Sequence, residues 1–183
     1  MKKTQILVVG YNSDHCTEHA YKLAYEIGEE VALKKAVLIT GGLGGVMEAA
    51  SKGAKDRGGL VVGIIPQDQK LYANAYCDVV IPTGLGYSRN FVTANSGDAV
   101  IVVGGGVGTA IEAGAAYQKG KPIIAISGSG GTADKISGEY LDDRKLVKVM
   151  EEKDPRIAVE KVFKTLKALN TKEAKKHLAQ GLR

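Results

Sequence analysis

The stretch Ala99-Val100-Ile101-Val102-Val103-Gly104-Gly105-Gly106-Val107-Gly108-Thr109-Ala110-Ile111-Glu112 passes from five apolar residues into a glycine cluster and out into an Ala-rich segment. An apolar run without polar alternation, rich in β-branched residues, reads as a strand buried on both faces, as in a parallel sheet. The continuation reads as a helix over residues 110–118 whose small side chains permit close packing on that sheet. Strand, glycine turn and helix in that order make one βα unit.

Outward from it, the same unit recurs. Apolar runs at residues 6–9, 37–40, 60–65, 78–81 and 122–126 predict further strands, and the run at 146–150 a seventh. Between the first two, Ala20, Leu23, Ala24, Ile27, Val31 and Ala32 recur at helical spacing while Glu26, Glu29 and Glu30 face outward, so residues 17–34 read as an amphipathic helix. Residues 46–55 form a second Ala-rich helical segment. Asp154-Pro155 supplies a capping carboxylate and then a proline at the first helical position, opening a helix to about residue 169 that Asn170 would close. This alternation implies an α/β protein: a single Rossmann-like, three-layer α/β/α domain around a central, mainly parallel sheet of about seven strands. With no internal repeat and no linker, residues 1–169 are expected to form one Rossmann-like domain and residues 170–183 a basic C-terminal tail.

Composition narrows the function classes. At 183 residues, 44% hydrophobic and 25% charged, the chain is long enough to bury a sheet on both faces. No stretch approaches the roughly 20 apolar residues of a membrane span, and Met1-Lys2-Lys3-Thr4 leads into the first strand rather than a signal peptide's apolar region. The expectation is a cytoplasmic protein without a membrane partner. Cys16 and Cys77 have no CxxC spacing and read as reduced small hydrophobes. The formal charge of +5 comes entirely from residues 161–183, which hold seven of the 25 basic and one of the 20 acidic residues and so carry +6 against −1 for the rest of the chain. Such a segment reads as a solvated helix end before it reads as a nucleic-acid site. Without Trp and with two Phe, no stacking platform for single strands is evident, so nucleic acid is not the expected partner.

The 24 glycines gather directly after strand runs: Gly10, then Gly41, Gly42, Gly44 and Gly45, then the cluster from Gly104 to Gly108, then Gly128, Gly130 and Gly131. In an open parallel sheet the carboxyl ends of the strands border the ligand crevice. Glycine there removes the Cβ and lets backbone N–H groups and helix dipoles meet an anion. A tight turn also uses glycine for conformation alone, but four clusters on one edge point to a phosphorylated ligand. The absence of GxxxxGK[ST], and of GxGxxG after the first strand, disfavours ATP hydrolysis and ordinary NAD binding. Ser13 lies in the loop after the first strand and is a candidate phosphate or sugar contact, although Asn12, Ser13 and Asp14 also favour a turn for local reasons. His15 and His19 are four apart with no third ligand, so no metal site is expected. Asn95 and Asp134 are open between the pocket and local helix-end roles.

Two segments, Gly41-Gly42-Leu43-Gly44-Gly45-Val46-Met47-Glu48-Ala49-Ala50 and Gly105-Gly106-Val107-Gly108-Thr109-Ala110-Ile111-Glu112, the latter preceded by Ser88-Arg89-Asn90, resemble the LONELY GUY (LOG) family. That family was once mislabelled lysine decarboxylases. They also resemble the related molybdenum cofactor carrier proteins, all SLOG-type Rossmann domains. The LOG pattern is PGGxGTxxE with an upstream Arg-Lys pair; here GGxGTxxE is complete, with Gly104 in place of Pro and Asn90 in place of Lys. A triple-glycine opening is closer to the carrier branch.

The LOG resemblance implies hydrolysis of the N-glycosidic bond of a nucleoside 5′-monophosphate to free base and ribose 5-phosphate, with no cofactor required. It places Gly105, Gly106, Gly108 and Thr109 on the phosphate and makes Arg89 and Glu112 the catalytic pair. Those residue types suit the chemistry: a carboxylate stabilises oxocarbenium character and orients water, and an Arg fork holds phosphate or leaving base. The carrier resemblance implies molybdopterin or a nucleotide bound without turnover. Both imply a homo-oligomer. With Gly10, Ser13, Gly41, Gly42, Gly44 and Gly45 from the other strand ends, these residues form the candidate site. Arg89 as a structural ion pair and Glu112 as a first-turn partner of the helix dipole are the alternatives. Three readings stay open: a phosphoribohydrolase, a non-catalytic carrier or sensor, and a nucleic-acid-linked protein like the DNA-processing DprA proteins, which share a related Rossmann core.

Overall fold

The computed structural model describes residues 2–181, with side chains through residue 171. Its elements are β1 (Gln5–Gly10), α1 (Glu18–Leu33), β2 (Val37–Thr40), α2 (Val46–Asp56), β3 (Leu60–Ile65), β4 (Val79–Pro82), α3 (Arg89–Ser96), β5 (Ala99–Val103), α4 (Val107–Gln118), β6 (Ile123–Ile126), α5 (Gly131–Ile136), β7 (Met150–Glu152) and α6 (Pro155–Gly181). The strands form one seven-stranded sheet in the order β4-β3-β2-β1-β5-β6-β7. Every pairing is parallel. The chain builds outward from β1 to β4, returns through α3 and starts again at β5 on the other side of β1.

This reversal decides where the helices lie. Parallel crossovers are right-handed, so units that grow in opposite directions put their helices on opposite faces. Ile6 and Val8 of β1 pack with α1, α2 and α6, while Leu7 and Val9 of the same strand pack with α4 and α5. All four are fully or almost fully buried, which stabilises the sheet by about 1.5–3 kcal/mol for each large side chain.

Local signals fix the helix ends. The Thr17 hydroxyl accepts a hydrogen bond from the Ala20 amide at 3.1 Å and caps α1. Asp154 caps α6 in the same way, its carboxylate accepting from the Ile157 amide at 3.0 Å, with Pro155 first in the helix. That helix does not close at Asn170: it continues to Gly181, because the flanking Leu, Ala and Lys residues are good helix formers that outweigh one Asn. Within the basic segment 170–183, side chains from residue 172 onward and the backbone of residues 182–183 lie outside the described residues.

Two edge strands differ from expectation. β4 is not buried on both faces, since Val79 and Ile81 are exposed at the sheet edge. β7 begins at Met150 rather than at residue 146. Val147 and Val149 from the expected strand instead fill the space beneath α4 and α5, where Val149 donates to the Glu139 carbonyl and Leu146 to the Tyr117 hydroxyl.

Helices α1 and α2 meet almost without side chains between them. A Cβ on Gly28 would lie 2.0 Å from the Ala50 carbonyl oxygen, and one on Gly53 would lie 2.0 Å from that of Tyr25. Gly114 of α4 has nothing within 4 Å of the equivalent position. Urea denaturation should therefore separate the two kinds of glycine: Gly28→Ala loses about 2–3 kcal/mol by overpacking, whereas Gly114→Ala gains about 0.5–1 kcal/mol from helix propensity.

Candidate functional site

The point where strand order reverses lies between β1 and β5, and Gly10 pairs there with Val103. The carboxyl ends of these strands open into a cleft of about 640 Å³. Its walls come from the loops after β1, β2 and β3, from the segment leading into α3, and from the first turns of α3 and α4.

The loop between β5 and α4 is held in one conformation by α5. The amides of Ala133 and Thr132 donate to the carbonyls of Gly104 and Gly105 at 3.0 and 2.8 Å. The Thr132 hydroxyl donates to the carbonyl of Gly106 at 2.8 Å. The Gly104 amide is taken by the Ser129 hydroxyl at 2.8 Å. With these carbonyls turned toward α5, the first turn of α4 faces the cleft. Its first intrahelical bond is Ala110 N–H to the Gly106 carbonyl, so the amides of Val107, Gly108 and Thr109 have no acceptor within the helix. Such a helix start favours an anion.

The glycines in this loop have separable duties. Gly104 and Gly105 adopt φ of +57° and +98°. Proline, fixed near φ −65°, cannot stand at 104, and a Cβ there would lie 2.1 Å from the Tyr11 ring. Gly106 is different. Its φ is −105°, and nothing lies within 4 Å of where its Cβ would be. Nothing in the fold itself requires glycine at 106, and a bare backbone there leaves room for a ligand.

Arg89 opens α3 and Glu112 lies on α4; they are 7% and 6% exposed. Arg89 Nη1 donates to Glu112 Oε1 at 3.4 Å and to the Thr93 hydroxyl at 3.3 Å. The Arg89 Nε is buried and has no partner among the described residues. Close approach of the guanidinium to β2 needs Gly41, where a Cβ would lie 2.6 Å from Nη1. Burial pushes the Glu112 carboxyl from its ordinary 4.5 up to about 7, against the opposing pull of Arg89. Burial likewise lowers the Arg89 pKa, with Glu112 opposing.

Of the residues expected from sequence, the structure brings Gly10, Gly41, Arg89, Gly106, Gly108, Thr109 and Glu112 to the cleft. Thr109 spends its hydroxyl proton on the Gly10 carbonyl at 3.1 Å, tying α4 to β1 and leaving its backbone amide for a ligand. Ser13, Gly42, Gly44, Gly45 and Gly105 do not line the cleft. Gly44 packs on the Ser13 hydroxyl, Gly45 on the backbone of Tyr11 and Asn12, and Gly42 on Ile65 and Gly63. The cluster from Gly128 to Gly131 serves as the brace beneath Gly104 and lies outside the lining too.

Tyr11 and Asn12, in the loop after β1 that the strand-end rule places beside the crevice, line the cleft; Pro66 and Gln67 follow β3 in the same way and were passed over, although the same rule would have flagged them. Asn90 is 6% exposed, lines the cleft, and makes no side-chain hydrogen bond among the described residues. A Cβ on Gly108 would lie 3.4 Å from its Nδ2, so Asn90 stands beside the first turn of α4. His15 borders the cleft, and among the described residues no group of three or more His, Cys, Asp or Glu side chains is placed to hold a metal ion.

Residues 3–165 match the SLOG cluster4 family. The chain belongs to that family. An uncharacterised protein of Archaeoglobus fulgidus is 48% identical over 126 residues, 69% of this chain and 82% of the relative. The molybdenum cofactor binding protein of Rippkaea orientalis is similar with 33% identity and a TM-score of 0.76, over 91% of this chain and 99% of that one. The molybdenum cofactor carrier protein of Chlamydomonas reinhardtii is similar with 30% identity and a TM-score of 0.76, over 92% and 99%. Membership agrees with the resemblance carried by Gly105–Glu112, and no described helix is long and apolar enough to cross a membrane.

The buried pair has a measurable signature. Between pH 4.5 and 7 the folded protein holds a proton on Glu112 that the unfolded chain has released, so stability falls as pH rises through that window. Glu112→Gln mimics the neutral form and removes this slope. Denaturation at pH 5 and pH 8 should show the variant close to wild type at the lower pH and more stable, by about 1–3 kcal/mol, at the higher. Equal differences at both pH values would contradict a raised Glu112 pKa.

Proposed function

We propose that the chain binds a phosphorylated heterocyclic molecule in this cleft and acts as a carrier of the molybdenum-cofactor type, with the cofactor as cargo. The observation that carries the reading is the first turn of α4: three amides without helical acceptors, beside a glycine at 106 that the fold does not need. The phosphate of the cargo would rest on Val107, Gly108 and Thr109, with Asn90 Nδ2 as an added neutral donor. A volume of about 640 Å³ suits a ligand of that size. The dithiolene sulfurs of the cargo would hold the metal, so the chain's own residues need only bind, orient and enclose the organic part. Likeness to the Rippkaea and Chlamydomonas proteins supports this choice of cargo.

A second reading rests on Arg89 and Glu112. A carboxyl with a pKa of about 7 at the edge of the cleft suits proton transfer near neutrality, as hydrolysis of a nucleoside 5′-monophosphate would require. Against it, Glu112 is held against Arg89 and is almost wholly buried. A homo-oligomer belongs to the same proposal: Phe91, Val92, Val107 and Ile111 are exposed on adjoining faces of α3 and α4 that carry no exposed charge.

Calorimetric titration with molybdenum cofactor, handled anaerobically, and with GMP tests the proposal, combined with an assay for ribose 5-phosphate. Wild type should bind both and release no sugar phosphate. Gly106→Ala should keep its melting temperature and bind each ligand about tenfold more weakly, the worth of roughly 1.4 kcal/mol. Release of ribose 5-phosphate that disappears in Glu112→Ala would select the hydrolase reading instead.

A further inference from the structure

The end of the cleft away from α4 has its own chemistry. Pro66 and Gln67 follow β3, and β3 is separated from β5 by β2 and β1. Three strand spacings of about 4.8 Å put the two ends roughly 14 Å apart. A phosphate, a sugar-sized spacer and a two-ring heterocycle fill such a span. The far wall is built from two loops stapled together. The Gly86 amide donates to the Pro66 carbonyl at 3.1 Å and the Gly84 amide to the Gln67 carbonyl at 3.0 Å.

Two side chains on these loops have no structural employment. Gln67 lines the cleft, and its Oε1 is buried with no hydrogen-bond partner among the described residues. An amide left this way costs stability, and a turn of the side chain that brings Oε1 into the cleft would let a ligand's donor satisfy it. Tyr87 follows Gly86, whose φ of +54° forms the turn, and it lines the cleft while 93% exposed. A ring that packs on nothing in its own fold leaves a planar face open at the mouth of the pocket. Leu43 and Met47 supply apolar surface on the same cleft.

We infer that Tyr87 and Gln67 form a heterocycle subsite, in which Tyr87 stacks on a planar two-ring system and the Gln67 amide reads a polar edge of that ring carrying an N–H donor. The inference rests on the reading above that the phosphate lies at α4, and it adds what recognises the rest of the molecule. Guanine and a pterin share a 2-amino-4-oxopyrimidine edge, with N–H donors beside a carbonyl acceptor. A Gln amide meets that edge with one acceptor and one donor. Ligands with a phosphate and no ring would gain nothing from either residue.

Binding of GMP and of ribose 5-phosphate, measured by calorimetry on wild type, Tyr87→Ala, Tyr87→Phe and Gln67→Leu, tests the subsite. Wild type should prefer GMP. Tyr87→Ala and Gln67→Leu should each weaken GMP roughly tenfold, in line with the worth of one stacked base or one paired edge. Ribose 5-phosphate affinity should be unchanged in both, and Tyr87→Phe should retain GMP binding. Unaltered GMP binding in the two truncations overturns the subsite while leaving the anion seat intact, as would an effect of Tyr87→Ala on self-association alone. Equal loss of both ligands also overturns it. Failure of wild type to bind either ligand removes the anion seat, and the subsite falls with it.

Discussion

Three successive carbonyls, those of Gly104, Gly105 and Gly106, accept hydrogen bonds from the start of α5. Everything at the candidate site depends on that capture. A loop of glycines left to itself samples many conformations, at a high entropic cost to order. Here Thr132 and Ala133 fix its carbonyls and Ser129 its first amide. Tyr11 lies over the same loop, close enough to Gly104 and Gly131 that neither could carry a Cβ without moving the ring. The consequence is a helix start at the reversal of strand order whose Gly108 and Thr109 line the cleft. A short helix thereby fixes the conformation of the loop that leads into its neighbour.

The electrostatics of the cleft are quieter than its motif suggests. Arg89 brings a positive charge, but Glu112 lies against it and Asn90 is neutral. In the proposed function, recognition of an anion then falls mainly to backbone amides and the dipole of α4, which need no counter-charge and do not titrate. The buried pair adds rigidity between α3 and α4. Lys121 works toward the same end: its ammonium donates to the carbonyls of Ala94, Asn95 and Gly97 and closes the C-terminus of α3. Both ends of the helix that presents Arg89 are thus anchored.

Most of the fold was legible because its strands are apolar runs of the right length and its helices carry their own caps. Thr17, Asp154 and Pro155 act as their types suggest. The seventh strand was misplaced because an apolar run in sequence does not say whether it enters a sheet or fills the space below one, as Val147 and Val149 do. At the site, glycine type marked the correct sheet edge but not the duty of each residue. Gly106 faces open space at the cleft, Gly104 a tyrosine ring and Gly28 another helix, and only their neighbours in space tell them apart. Gln67 and Tyr87 were invisible for a different reason: their significance lies in partners they lack.

The central claim is that the first turn of α4 is the anion seat. Amide proton and nitrogen shifts of the ¹⁵N-labelled protein during titration with GMP test it most directly. The account predicts that the amides of Val107, Gly108 and Thr109 move first and furthest, with a downfield proton shift as they donate to phosphate, while those of Thr132 and Ala133, already bonded to Gly104 and Gly105, stay nearly fixed. Saturable binding with the α4 amides unmoved, or with the largest shifts at the start of α5, would contradict it.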